Sequence, residues 1–259
     1  MSDAKILSAE RVLGCGKVVD VTVNRAHKLN ALDPGHCAAL RDAFLALHGT
    51  DARVVRLTGA GDRSFIGGAD INTLRGLDAT TSRTYITNVH EVCDAIRRCP
   101  IPVVARINGF CLGAGLEIAA ACDIRVAEPD AVLGMPEVKV GLPSVVEAAL
   151  LPKMIGWGRA RWMLLTGENI TAERGSQWGL IDILAEPGEL DRRTEEVLQS
   201  ITSAAPNAVR VQKSLMRDWE KLDLNDAIDA GIDAFVSCYE DGDEPSRYVD
   251  ALQKRLDKK

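Results

Sequence analysis

Two glutamates and two glycine-rich turns are the parts of this chain whose residue types and spacing could do chemistry. Glu117 is the only charged residue of the apolar run Leu116-Glu117-Ile118-Ala119-Ala120-Ala121. Burying a carboxylate without a partner is costly, so Glu117 either lines a cavity or finds a hydrogen-bond partner, the alternative being the polar face of an ordinary helix. Glu137, after Gly134-Met135-Pro136, could approach the same cavity or stand as a loop carboxylate in water. Two adjacent carboxyls suit acid–base work, because one can hold a proton while the other accepts one.

The first turn is Phe65-Ile66-Gly67-Gly68-Ala69-Asp70-Ile71 and the second runs from Gly109 through Gly113-Ala114-Gly115 to Leu116. Each lies between an expected strand and a helix start, where unpaired N–H groups point outward and can meet developing negative charge. The amides of Ala69 and Ala114, one from each turn, are therefore candidates for an oxyanion hole, with side chains small enough for a carbonyl oxygen to come close. The competing reading is that both stretches are tight turns that need glycine for their backbone alone.

Other chemistries lose their signatures. A dinucleotide fingerprint built on Gly113-Ala114-Gly115 would need glycine where Ile118 stands, and the chain contains no phosphate-loop, zinc-peptidase or nucleophile-elbow motif. His27, His36, His48 and His90 lack metal-ligand spacing and read as surface or satisfied histidines, so no metal site is expected. With 31 Lys and Arg against 37 Asp and Glu, the net charge of −6 counts against nucleic acid or an anionic membrane as partner. Seven cysteines without close pairs suggest a reduced, cytoplasmic protein. The first residues, with Asp3 and Glu10, do not form a signal peptide, and no run of apolar residues is long enough to span a membrane.

The elements that must position these groups follow from periodicity. Val19, Val21 and Val23 alternate with polar residues and predict a half-buried strand over 17–24. Asp33-Pro34 caps a helix that carries Leu40, Phe44 and Leu47 at helical spacing. Strands are expected over 53–58, 102–108 and 123–127, and the first two each lead to a glycine-rich turn and a helix. Repeated strand, turn and helix units imply an α/β architecture whose loops at one end carry the chemistry. Past about Leu190 the strand signals stop and helices are expected over 205–218, 224–239 and 244–259, dividing a catalytic core, 1–190, from a helical region, 191–259. The basic residues Lys254, Arg255, Lys258 and Lys259 read as a solvated helix end.

In order and spacing, Asn24-Arg25, Leu29-Asn30-Ala31-Leu32, the two glycine-rich turns, Cys122-Asp123-Ile124, Pro136-Glu137 and Trp178-Gly179-Leu180-Ile181-Asp182 resemble the enoyl-CoA hydratase/isomerase, or crotonase, superfamily. The resemblance covers nearly the whole chain and is nearest to the two-glutamate hydratases. It implies a spiral of ββα units with a C-terminal helical region that packs in homotrimers, commonly paired into hexamers. It implies an acyl-CoA substrate, with coenzyme A as part of that substrate and no metal or redox cofactor. The thioester oxygen would be held by the amides of Ala69 and Ala114, Glu117 would orient and deprotonate a water, and Glu137 would supply a proton to the α-carbon. Arg25, Lys28, Gly68, Asp70, Ile71 and Gly113 match positions that contact substrate or coenzyme A.

The chain departs from that pattern in three places, one being Ala114 where glycine is frequent, although a backbone amide does not depend on the side chain. Where many hydratases carry a Gly-rich loop, it reads Pro143-Ser144-Val145-Val146-Glu147, bulkier and with an extra carboxylate, and Asn72 stands where a phosphate-binding lysine is common. Leu74, Leu77, Val140, Leu142 and Val146 are the residues expected around the acyl tail. Hydration of a trans-2-enoyl-CoA is the leading expectation. Double-bond isomerisation by one carboxylate is the second, and a non-catalytic RNA-binding or scaffold relative is the third. Incorporation of solvent oxygen separates the first two, and salt-dependent RNA binding without turnover would mark the third.

Overall fold

The computed structural model describes residues 4–257 of the chain. Its first half contains β1 (Ile6–Leu13), β2 (Gly16–Val23), α1 (Pro34–Leu45), β3 (Ala52–Gly59), β4 (Ser64–Ile66), α2 (Ile71–Arg75), α3 (Ala79–Arg98), β5 (Val103–Ile107), β6 (Phe110–Leu112), α4 (Ala114–Ala121), β7 (Ile124–Ala127) and β8 (Val132–Gly134). There follow α5 (Leu151–Ile155), α6 (Trp157–Thr166), β9 (Ile170–Thr171), α7 (Ala172–Trp178), β10 (Ile183–Leu184), α8 (Leu190–Ser203), α9 (Pro206–Trp219), α10 (Leu224–Glu240) and α11 (Glu244–Leu256).

The chain winds as a spiral in which consecutive strands go to different sheets. β3, β5 and β7 join a six-stranded sheet ordered β1-β2-β3-β5-β7-β10, while β4, β6 and β8 join a four-stranded sheet ordered β4-β6-β8-β9. All neighbours pair in parallel except β1 with β2 and β8 with β9. Parallel strands covered on both faces need apolar residues on both, which explains the Val-Val pairs. Val55, Leu57, Val103 and Ala105 face the main core with α1 and α3, whereas Val18, Val54, Val104 and Val126 face Leu190 and Leu198 of α8.

Buried asparagines hold the turns of this spiral together. Asn108 donates from Nδ2 to the carbonyls of Gly59 and Gly61 and accepts from Thr58 Oγ1. Asn30, in a left-handed conformation at φ +56°, donates to the carbonyls of Ala60 and Ser64 and accepts from the Arg25 N–H. Each amide thus satisfies backbone groups that the tight turns would otherwise leave bare.

The strands and the α1 helix stand where periodicity puts them, within a residue or two. The sequence reading passes over β1, an edge strand with mostly exposed side chains, and over α3, although Asp78 and Thr81 form a complete capping box at its start. It also passes over α8, which reads as amphipathic and covers the sheet. The last three helices stand close to their expected positions, α9 being fastened by Lys213, whose buried ammonium donates to the carbonyls of Ile96 and Ile101 and to Asp123 Oδ2. Helices α10 and α11 bury no residue, and Lys258 and Lys259 lie outside the described residues.

Candidate active site

The two glycine-rich turns meet where the spiral stacks β4 on β6. Gly68 approaches Leu112 so closely that an added Cβ would stand 3.0 Å from the Leu112 carbonyl oxygen, and its φ of +102° suits glycine alone. Leu32 forms a parallel bridge to Ala69, its N–H donating to the Gly68 carbonyl and its carbonyl accepting from the Asp70 N–H. That alternation turns the Ala69 N–H away from Leu32. Tyr85 of α3 fixes the same carbonyl, its hydroxyl donating to Leu32 O at 3.0 Å. In the second turn Gly113, at φ +52°, caps α4, so the Ala114 amide is in the first helical turn, where N–H groups have no partner within the helix.

A cavity of about 440 Å³ opens between these turns and α3. Ala69, Ala114, Glu117 and Glu137 all line it, together with Tyr85 and a largely apolar wall. Leu74, Leu77 and Leu142 belong to that wall as expected, but Val140 does not, being exposed on the loop, and Val146 packs half-buried against the core. Val145, Ile86 and Val89 take their places. The misplacement has a local cause, since Val146 adopts φ +40° and this left-handed step reverses which neighbour faces the cavity.

The two glutamates sit in different surroundings. Glu117 is buried on α4, only 4% exposed. Burial above all, and then the charges of Glu137 and Glu147, push its carboxyl up to about 8 against opposing N–H groups of Ala148 and Val145. Glu137 is half-buried on a short 3-10 turn, Pro136–Val140, and its Oε2 accepts a hydrogen bond from Ser144 Oγ at 2.7 Å. Ser144 was not singled out by sequence reasoning, although it belongs to the departing loop and no spacing rule would have linked it to Glu137.

The remaining candidates divide. Gly68 and Gly113 flank the two lining alanines in the chain. Asp70 caps α2 by accepting from the Asn72 and Thr73 N–H groups and is paired with Arg25 Nη1 at 2.8 Å, with Lys28 Nζ at 3.7 Å. Burial works to raise the Asp70 carboxyl, but those N–H donors and the two cations outweigh it and hold it below the usual range. Arg25 also donates to the Ala31 carbonyl and reaches Asp33, so its guanidinium is largely committed. Lys28 is the more open cation, and Ile71 is exposed at the start of α2.

A spiral that feeds successive strands into two sheets and ends in a helical C-terminal region is the crotonase class of fold. The family model for enoyl-CoA hydratase/isomerase matches residues 15–254, and the chain belongs to that family. It is 34% identical to a short-chain-enoyl-CoA hydratase of Clostridium acetobutylicum, over 93% of each chain. Against an (E)-benzylidenesuccinyl-CoA hydratase of Thauera aromatica it is 37% identical, over 76% of this chain and 77% of that one. The crystal structure of an enoyl-CoA hydratase from Bacillus anthracis superimposes with a TM-score of 0.91 at 27% identity, covering 97% of both chains. No helix among the described residues is long and apolar enough to cross a membrane.

Proposed function

We propose that this enzyme adds water across the double bond of a trans-2-enoyl-CoA to give the 3-hydroxyacyl-CoA, and catalyses the reverse dehydration. The observation that carries the reading is the convergence of Glu117, Glu137, Ala69 and Ala114 on one cavity. The names of its relatives as enoyl-CoA hydratases support it.

The amides of Ala69 and Ala114 would donate to the thioester oxygen, drawing electrons from the β-carbon and holding the enolate-like charge as it forms. Glu117, as carboxylate, would take a proton from water while that water attacks the β-carbon, and Glu137 would deliver its own proton to the α-carbon. The pair thus carries one proton before and after the reaction: Glu137 gives its proton to the α-carbon, and Glu117 takes one from the attacking water. Burial keeps a proton on Glu117 below about pH 8, the arrangement from which dehydration starts. Hydration starts from the opposite arrangement, with Glu117 as the base and Glu137 as the acid.

Lys28 is the cation best placed to meet a phosphate of coenzyme A, since Arg25 is engaged by Asp70 and Asp33. A homotrimer, alone or paired into a hexamer, is supported by apolar side chains left exposed on α10 and α11, among them Ile232, Phe235, Val249 and Leu252. A cytoplasmic location is supported by seven free cysteines, of which Cys37, Cys93, Cys99, Cys111 and Cys122 are buried.

The test is the absorbance of the conjugated enoyl thioester, followed with short, long, branched and aromatic 2-enoyl-CoA substrates in ¹⁸O-labelled water. Loss of the band with label in the 3-hydroxy product is the expected result. Conversion of 3-enoyl-CoA to the 2-enoyl isomer without label would establish isomerisation instead.

A further inference from the structure

The cavity that holds Glu117 and Glu137 also holds Arg83, the only cation among the described residues that line it. Arg83 stands exposed in the second turn of α3 and makes no hydrogen bond or ion pair among the described residues. Neither glutamate pairs with it, since Glu137 is bonded to Ser144 and Glu117 accepts from the N–H groups of Val145 and Ala148. Thr87, one helical turn on from Arg83 and lining the same cavity, likewise leaves its hydroxyl without a partner among the described residues, whereas the Ser82 hydroxyl is spent on the Ala79 carbonyl. Arg25 and Lys28, the cations matched to coenzyme A, lie outside this lining, while Leu74, Leu77 and Leu142 lie within it. Arg83 therefore belongs to the part of the site that receives the acyl tail.

We propose that Arg83 is a specificity-determining residue and that the substrate is a 2-enoyl-CoA whose acyl tail carries a carboxylate. The guanidinium presents N–H donors in a planar fork that a carboxylate accepts two at a time, and the Thr87 hydroxyl adds a third donor from the same side of α3. A purely hydrocarbon tail displaces water from beside the guanidinium and returns no hydrogen bond, which counts against it. A carboxylate restores those bonds, and the attraction to Arg83 offsets its repulsion from the glutamates across the cavity. At about 440 Å³ the cavity is in the range of small-molecule sites, with room for a tail that bears a further polar group. The inference rests on the reading that this cavity takes an acyl-CoA.

Saturated acyl-CoA thioesters cannot be hydrated, so their binding reads this contact without turnover. Isothermal titration of the full chain compares succinyl-, glutaryl- and adipyl-CoA with butyryl-, pentanoyl- and hexanoyl-CoA, pairs of equal carbon count, in wild type, Arg83→Met and Arg83→Lys. Because Arg83 is exposed and unpaired, both variants should fold. Wild type should prefer the carboxylated partner by about 10-fold or more at the chain length that reaches Arg83, the range of a hydrogen bond to a charged group. Arg83→Met should bring that ratio close to unity, and Arg83→Lys, which keeps the charge without the fork, should retain part of it. A loss in Arg83→Met that is equal in both series and at every chain length places Arg83 on a phosphate of coenzyme A and overturns the proposal. Wild type that binds both series alike overturns it too, with the acyl-CoA reading intact. If no thioester of either series binds, the acyl-CoA reading itself falls and the proposal falls with it.

Discussion

Gly113 and Glu137 adjoin so closely that a Cβ on Gly113 would overlap Oε1 of Glu137. The capping position at the head of α4 thus sets both the Ala114 amide and the space the second glutamate occupies. Gly113→Ala should push the flexible Glu137 side chain away as well as strain a backbone at φ +52°. The expected result is a loss of kcat of about 100-fold, the range of a displaced acid–base group. Stability should fall as well, because φ +52° with ψ −123° is a conformation that only glycine adopts without strain. Enoyl-thioester turnover beside urea denaturation separates the two effects.

Glu117→Gln and Glu137→Gln keep side-chain shape and remove proton exchange. Each should lower kcat by about 10²–10⁴-fold with little change in KM, because the group acts on the transition state more than on bound substrate. The double variant should lose little more than the worse single one, since the two act in one step. Turnover at wild-type rate in both single variants would remove these residues from the mechanism.

Burial of Glu117 also costs stability in a definite pH window. Its carboxyl is raised from 4.5 to about 8, so between those values the folded chain holds a proton that the unfolded chain has released. Stability from this group is full below about pH 4.5, declines as pH rises, and is lost once pH passes about 8. Glu117→Gln cannot ionise and should gain on wild type across that window, reaching a few kcal/mol at most. Thermal unfolding of both proteins at pH 5, 7 and 9 measures it, and a constant difference in Tm would contradict the burial argument.

Much of this site was legible because its signals are local. Glu117 stood out as the lone charge of an apolar run, and the turns around Gly68 and Gly113 announced themselves by composition. What lay hidden depends on contacts between distant segments. His90 reads as a surface or satisfied histidine and Glu147 as an extra loop carboxylate, and only the packing of α3 against the 3-10 turn Val146–Leu150 brings them together. Likewise Val146, expected beside the acyl tail, packs half-buried against the core, because one left-handed residue reverses the facing of a loop and no periodicity reports it. The α3 helix is hard to see in the sequence because its exposed face is polar, and only the Asp78–Thr81 capping box marks its start.

Arg25 and Lys28 both pair with Asp70, yet they should respond differently to removal. Asp70 is buried and Arg25 is its close partner at 2.8 Å, so Arg25→Met leaves the carboxylate to its two N–H donors and the more distant Lys28. Breaking a buried pair in this way costs about 3–5 kcal/mol, and part of that should appear as lost kcat because Asp70 caps α2. Lys28, whose side chain is 41% exposed and lies 3.7 Å away, should cost less than about 1 kcal/mol when replaced by methionine. Its expected effect is a several-fold rise in KM for acyl-CoA that diminishes at high salt, as for an exposed contact to phosphate. Equal Tm losses in the two variants would refute this division.

The fastening of α9 predicts how the C-terminal helices depend on the sheet. Lys213 is buried, and its ammonium makes three hydrogen bonds, to Ile96 O, Ile101 O and Asp123 Oδ2, the last at 2.7 Å. Asp123 in turn accepts from the Val103 N–H at 2.6 Å, which ties the helix to the start of β5. Lys213→Met keeps the stem's apolar packing but strands Asp123 and two carbonyls without their donor. The expected loss is about 3–5 kcal/mol, that of a broken buried pair. Lys213→Met with Asp123→Asn should recover part of it, because the uncompensated charge is gone while the amide oxygen can still accept from Val103. Hydrogen exchange gives the spatial readout: amides of α9 and of the start of β5 should lose protection together in Lys213→Met, and independent loss would mean that the helix is held by its apolar contacts instead.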